Sequence, residues 1–116
     1  TKRDFVYIDD TCFGIYKLML SSKKTNGNTF NISSSKSYSI KEIFYKIKKV
    51  CKSNCSLTID NKRIRPKNSE VVELLGSSKK IKKFCNFKTK TNIDEGLEKT
   101  INWFKDNLNQ NLNYFF

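Results

Sequence analysis

The stretch Arg3-Asp4-Phe5-Val6-Tyr7-Ile8-Asp9-Asp10 changes its period halfway along. Phe5, Val6, Tyr7 and Ile8 form a β-prone run. Asp9 and Asp10 then offer an N-cap. Beyond them apolar residues recur at Cys12, Ile15, Tyr16 and Met19, which is one face of an amphipathic helix. A strand running directly into a helix is the unit from which α/β domains are built, and it sets the expectation for the rest of the chain.

The pattern continues outward from there. Asn26-Gly27 marks a turn. Thr29, Phe30, Asn31 and Ile32 read as a second strand, followed by a serine-rich loop. Ser39 and Glu42 make a capping box for a helix whose buried face is Ile40, Ile43, Phe44, Ile47 and Cys51. Leu57, Thr58 and Ile59 read as a further short strand. Pro66 disfavours helix at Arg65, so the stretch ending there is extended. Residues 71–75 fit strand or helix equally. A short helix then turns Ile81, Phe84 and Cys85 inward. In the last helix Asn92 and Glu95 suit a second capping box, and Ile93, Leu97, Ile101, Phe104 and Leu108 form the inner stripe. Residues 109–116 read as a tail.

With 116 residues there is room for one domain and one modest core. The chain begins Thr-Lys-Arg-Asp without an initiator methionine, which fits a piece of a longer protein. Its formal charge of +12 raises the question of a nucleic-acid partner. Of 23 basic residues, however, only Arg3, Arg63 and Arg65 are arginines, and the lysines are spread along the whole chain. Asparagine, isoleucine, phenylalanine and tyrosine are also frequent, a bias toward residues with AT-rich codons. A solvated lysine surface accounts for the charge better than a dedicated polyanion site. A small basic module that binds nucleic acid non-specifically is the alternative reading. No apolar run approaches the ~20 residues of a membrane span, and no signal peptide is visible, so a reduced, cytoplasmic setting is expected.

Little catalytic chemistry can be assembled from these residues. Without histidine, neither a Ser-His-Asp nor a Cys-His arrangement can form. Cys51 and Cys55 would need two more ligands to hold zinc, while Cys12 and Cys85 sit on apolar stripes as small hydrophobes. The four glycines are isolated, so no phosphate-cradling loop exists. Tyr45 and Lys49 have the Tyr-x-x-x-Lys spacing of a dehydrogenase base and its helper. Such a pair needs a nicotinamide beside it, and the loop that would hold the cofactor is absent.

Six segments, in order and in register over about residues 1 to 106, carry a family resemblance. Arg3 to Asp10 resembles "RDFxYVxD". Thr29-Phe30-Asn31-Ile32-Ser33-Ser34-Ser35 resembles "xYNIGSG". Ser39-Ile40-Lys41-Glu42-Ile43 resembles "SIKEL", and Arg65-Pro66-Lys67-Asn68-Ser69-Glu70-Val71 resembles "RPxxSEV". The segment from Cys85 to Thr91 stands where "LGWxPxT" is expected, and Asp94-Glu95-Gly96-Leu97 with Thr100-Ile101-Asn102-Trp103-Phe104 resembles "EEGLxxTIxWF". These are motifs of the extended short-chain dehydrogenase/reductase family, the NAD-dependent nucleotide-sugar epimerases and dehydratases. The "RPxxSEV" form is most similar to that of the 4,6-dehydratases. Ser33 and Ser35 replace glycines of the pattern, Cys85-Asn86 replaces Leu-Gly, and the proline expected before Thr89 is missing.

The resemblance implies a mixed α/β, helix-rich substrate-binding domain over residues 1–108. It would lie carboxy-terminal to a missing Rossmann part that holds NAD and does the hydride and proton chemistry. It implies a nucleotide-diphosphate sugar as ligand, with Arg3 and Arg65 on the diphosphate and Glu70 on the ribose hydroxyls. Arginine suits that task because its guanidinium makes forked, charge-assisted bonds to phosphate. Asp10 reads as the helix cap rather than a catalytic acid. The chain alone is expected to bind no NAD and to catalyse nothing. Dehydration, epimerisation and decarboxylation stay open, as does a homodimer of the complete enzyme. The strand at residues 29–32 is expected to belong to the Rossmann sheet, which would leave an open edge here.

Overall fold

The computed structural model describes residues 1–58, 60 and 71–107. Among these residues, the chain forms five helices and a three-stranded sheet. The order is β1 (Lys2–Asp4), α1 (Ile8–Leu20), α2 (Ser22–Thr25), β2 (Ser37–Ser39), α3 (Ile40–Cys51), β3 (Glu73–Leu74), α4 (Lys79–Cys85) and α5 (Ile93–Asn107). The mixed α/β expectation therefore holds.

In the sheet β1 is central, with order β2-β1-β3. β2 runs antiparallel to it, pairing Arg3 with Tyr38 and Asp4 with Ser37. β3 runs parallel, pairing Lys2 with Glu73 and Arg3 with Leu74. Within residues 71–75, which fit either strand or helix, only Glu73 and Leu74 form a strand. The opening stretch is shifted from expectation. The strand ends at Asp4, residues 5–7 form an extended connector, and Ile8 already begins the helix.

Residues 29–32 and the described part of 57–59 are not strands; Ile59 lies outside the described residues. A β-prone segment becomes a strand only when a neighbour accepts its main-chain bonds, and none of the three strands lies alongside either segment. Phe30 and Ile32 instead contribute side chains to the core. That core is Ile81, Cys85 and Phe87, with Phe13, Leu18, Phe30 and Ile32 packed against it. Phe84 lies edge-on to Phe30 at 5.5 Å between ring centroids.

Helix α1 turns the face opposite to the one expected toward this core. Asp10 and Gly14 are buried, and Phe13 and Leu18 join the cluster. Cys12, Ile15, Tyr16 and Met19 are exposed, Met19 at 69%. At about 100° per residue, the two sets lie almost opposite one another around the helix. Both carry apolar side chains, so periodicity alone could not choose between them. Close approach does choose: a Cβ on Gly14 would come within 2.7 Å of Ile32 Cδ1 and 3.3 Å of Phe87 Cε2.

Helix α3 has the predicted capping box. Ser39 Oγ accepts from Glu42 N–H at 3.1 Å, and Glu42 Oε2 accepts from Ser39 N–H at 2.7 Å. Of its expected buried face only Ile43 is buried; Phe44 is half-buried, while Ile40, Ile47 and Cys51 are exposed. Helix α3 meets α5, and Lys46 reaches Asp94 at 2.7 Å. At the start of α5, Asn92 Oδ1 accepts from Glu95 N–H at 3.0 Å. Ile93, Leu97 and Ile101 are half-buried along the predicted stripe, but Phe104 is exposed, and Leu108 lies outside the described residues.

Candidate functional site

The sheet brings its chemistry together around β1. Successive residues of a strand project to opposite faces, so Arg3 and Asp4 serve different sides. The Arg3 guanidinium donates to Lys2 O at 2.7 Å and to Val71 O at 3.0 Å. Its partners are main-chain carbonyls rather than Asp9 or Asp10. A guanidinium has five N–H donors in a planar fork, so two carbonyls steady the head and leave donors for an anion.

On the other side, the Asp4 carboxylate accepts five hydrogen bonds. Oδ1 takes Ser34 N–H at 3.0 Å and the Ser34 hydroxyl at 2.6 Å. Oδ2 takes the Ser33 hydroxyl at 2.6 Å, Ser35 N–H at 3.2 Å and Gly76 N–H at 3.3 Å. Partial burial pushes the Asp4 carboxyl up. The bonds from the Ser33 and Ser34 side chains and from the Ser34 and Gly76 main chain outweigh that and hold it below its usual value.

Ser78 extends the network. Its hydroxyl donates to Ser33 O at 2.7 Å and accepts from Ser33 N–H at 2.9 Å. Gly76 is required here, because a Cβ would stand 2.7 Å from Ser33 Cβ. Ser35 occupies the left-handed region at φ 58°, so the turn keeps a glycine-like conformation although serine replaces the expected glycine. Asn86, at φ 50°, does the same at the end of α4, where asparagine is the usual second choice.

Asp10 is not the helix cap. Tyr7 holds that position without a side-chain bond, and Asp10 lies inside the first turn. Its buried carboxylate accepts from Lys90 N–H at 3.0 Å and Thr91 N–H at 2.9 Å. It therefore ties α1 to the loop that leads into α5.

A cavity of about 610 Å³ opens between the connector after β1, the loop before β2 and the start of α5. Phe5, Tyr7, Tyr38 and Leu97 supply apolar surface, and Lys36 and Lys90 also line it. Arg3 does not line it, so this cavity and the guanidinium are separate places. Arg63, Arg65 and Glu70 lie outside the described residues. Val71, the residue after Glu70, offers a carbonyl that holds Arg3.

The cysteines are free, and no group of three or more His, Cys, Asp or Glu residues among the described residues could hold a metal. No helix among the described residues is long and apolar enough to cross a membrane. The glycines do not fit a dinucleotide. Gly14, Gly76 and Gly96 each face a neighbouring side chain, and Gly27 stands alone in a turn. None forms the phosphate-cradling loop that NAD requires. Sequence reasoning missed Asp4 and the three serines as one unit. The only available signal was an acid in one motif and a run of hydroxyl residues in another.

The fold recurs in solved NAD-binding enzymes, among them a UDP-glucuronic acid 4-epimerase from Bacillus cereus and a dTDP-glucose 4,6-dehydratase from Bacillus anthracis. The Bordetella bronchiseptica enzyme WbmF in complex with NADH matches at TM-score 0.77 and 30% identity, over 94% of this chain and 31% of that one. The same enzyme in complex with NAD+ and UDP matches at TM-score 0.75 and 32% identity, over 94% of this chain and 30% of that one. Epimerase Mth375 from Methanothermobacter thermautotrophicus shares the fold at TM-score 0.83 and 21% identity, over 93% of this chain and 31% of that one. This chain thus spans about three-tenths of the length of these solved chains. Residues 1–100 match the family described as GDP-mannose 4,6 dehydratase, and the chain belongs to that family of extended short-chain dehydrogenases/reductases. No curated protein matches the sequence.

Proposed function

We propose that residues 1–108 are the substrate-gripping, carboxy-terminal part of an NAD-dependent nucleotide-sugar 4,6-dehydratase or epimerase. Residues 109–116 form a tail in this reading. Arg3 and Arg65 bind the diphosphate of the nucleotide sugar, and Glu70 accepts bonds from the ribose hydroxyls. The observation that carries the reading is the Arg3 head, a five-donor guanidinium steadied by Val71 O at 3.0 Å. The segment with Arg65 and Glu70 leads directly to that same Val71.

NAD belongs to the complete enzyme, on a Rossmann part outside this chain. Two features support such a neighbour. Helix α1 exposes Ile8, Ile15, Tyr16 and Met19 along one side. Residues 29–32 are β-prone yet pair with no strand of the sheet. Covering an apolar helix face and completing an unpaired edge are both favourable.

Nucleoside diphosphate titrated into the chain and its arginine variants tests the reading, with UDP and GDP as probes. Arg3→Ala and Arg65→Ala should each weaken binding by about 2 kcal/mol, the scale of a lost charge-assisted bond. Arg65→Lys should recover only part of the loss, since an ammonium cannot make the fork. Unchanged affinity in both alanine variants would refute the assignment.

A further inference from the structure

The strand that presents Arg3 is short. β1 has three residues and β3 only two, so few ladder bonds fix the register between them. Yet Arg3 depends on that register. Val71 O, which holds the guanidinium, and Val72 O, which accepts from Lys2 N–H at 2.8 Å, both lie just before β3. A tie outside the ladder also joins the two strands.

Asp4 supplies it. The turn at residues 33–35 leads into β2, and Gly76 follows β3. Both are tied to the Asp4 carboxylate: the turn through Ser33, Ser34 and Ser35, the other side through Gly76 N–H. One side chain on the central strand thus holds the loop entering one neighbour and the loop leaving the other. The Ser37 hydroxyl, donating to the Glu73 carboxylate, adds a further link between the two outer strands.

We propose that Asp4 is a positioning residue for the diphosphate site: through Gly76 and the Ser33–Ser35 turn it sets β3 against β1 and so fixes the Arg3 guanidinium for its anion. This rests on the reading of Arg3 above. Asp4 touches no ligand itself, since its carboxylate is filled by protein donors and would repel a phosphate. Aspartate is required, and asparagine cannot replace it. Hydroxyl donors can rotate, but Ser34 N–H points at one oxygen while Ser35 N–H and Gly76 N–H point at the other. Whichever way an amide is turned, its NH2 faces at least one main-chain N–H.

The test is UDP titration into the full chain, Asp4→Asn, Arg3→Ala and the double variant, well below their unfolding midpoints. Asp4→Asn should weaken UDP binding roughly tenfold, the scale of one bond to a charged group. In the Arg3→Ala background it should cost nothing further, because Asp4 acts only through Arg3. Ser34→Ala removes one hydroxyl donor and keeps the main-chain N–H; it should give a smaller loss in the same direction and guards against a misfolded asparagine variant. Three outcomes would overturn the proposal. If Arg3→Ala loses affinity while Asp4→Asn and Ser34→Ala bind like the parent, the Asp4 role fails and the Arg3 reading survives. If the two losses add in the double variant, Asp4 acts independently of Arg3. If Arg3→Ala binds normally, the Arg3 reading fails and takes this inference with it.

Discussion

Removing the Asp10 carboxylate should cost far more than a first-turn helix charge would. Asp10 is 4% exposed and accepts two main-chain N–H groups, from Lys90 and Thr91. Each bond to a charged acceptor contributes about 1.5–3 kcal/mol. Water will reach part of the gap left by Asp10→Ala, so the expected net loss is about 3 kcal/mol. Asp10→Asn keeps one oxygen for one of the two donors and should lose about half of that. If Asp10 only complemented the helix dipole, either change would cost about 0.3–1 kcal/mol. Urea denaturation followed by circular dichroism measures the difference. For a domain of this size, 3 kcal/mol corresponds to a fall of roughly 10–20 °C in melting temperature. A loss under about 1 kcal/mol for both variants would show that the tie between α1 and the loop before α5 contributes little.

Other perturbations have equally definite signs. The folded-state Asp4 carboxyl titrates below its ordinary value of 3.8, so its ionised form stabilises the fold above that pH. That contribution should vanish as pH falls through the folded value, and urea midpoints of the parent and Asp4→Asn should converge in acid. Gly76→Ala should destabilise by about 1–3 kcal/mol, because the new Cβ would meet Ser33 Cβ at 2.7 Å and Ser33 is buried. Thermal denaturation checks it, and an unchanged midpoint would contradict the packing described. Lys52 caps α3 in the left-handed region at φ 49°, so Lys52→Gly should raise stability by about 1 kcal/mol in the same assay.

Local chemistry was the legible part of this chain. The Ser39–Glu42 box announces α3 because both partners lie within one turn, and Asn92 marks the start of α5 for the same reason. Tertiary choices were less legible. Helix α1 has two apolar faces, and what selects between them is Gly14 meeting Ile32 and Phe87, residues far away in sequence. Residues 29–32 have the composition of a strand, but pairing requires a neighbour that the sheet of β1, β2 and β3 does not offer. Arg3 was conspicuous as one of only three arginines in a lysine-rich chain. Asp4 was not, because its five donors come from segments about 30 and 72 residues away.

Those same three arginines permit the most direct test. A chain labelled at arginine Nε should give three side-chain signals in a nitrogen–proton correlation spectrum, from Arg3, Arg63 and Arg65. On titration with UDP at physiological salt, Arg3 and Arg65 should shift together and saturate at one affinity, while Arg63 stays near its starting position. No shift in any of the three, or equal unsaturating drift in all of them, would contradict a diphosphate site built on Arg3 and Arg65.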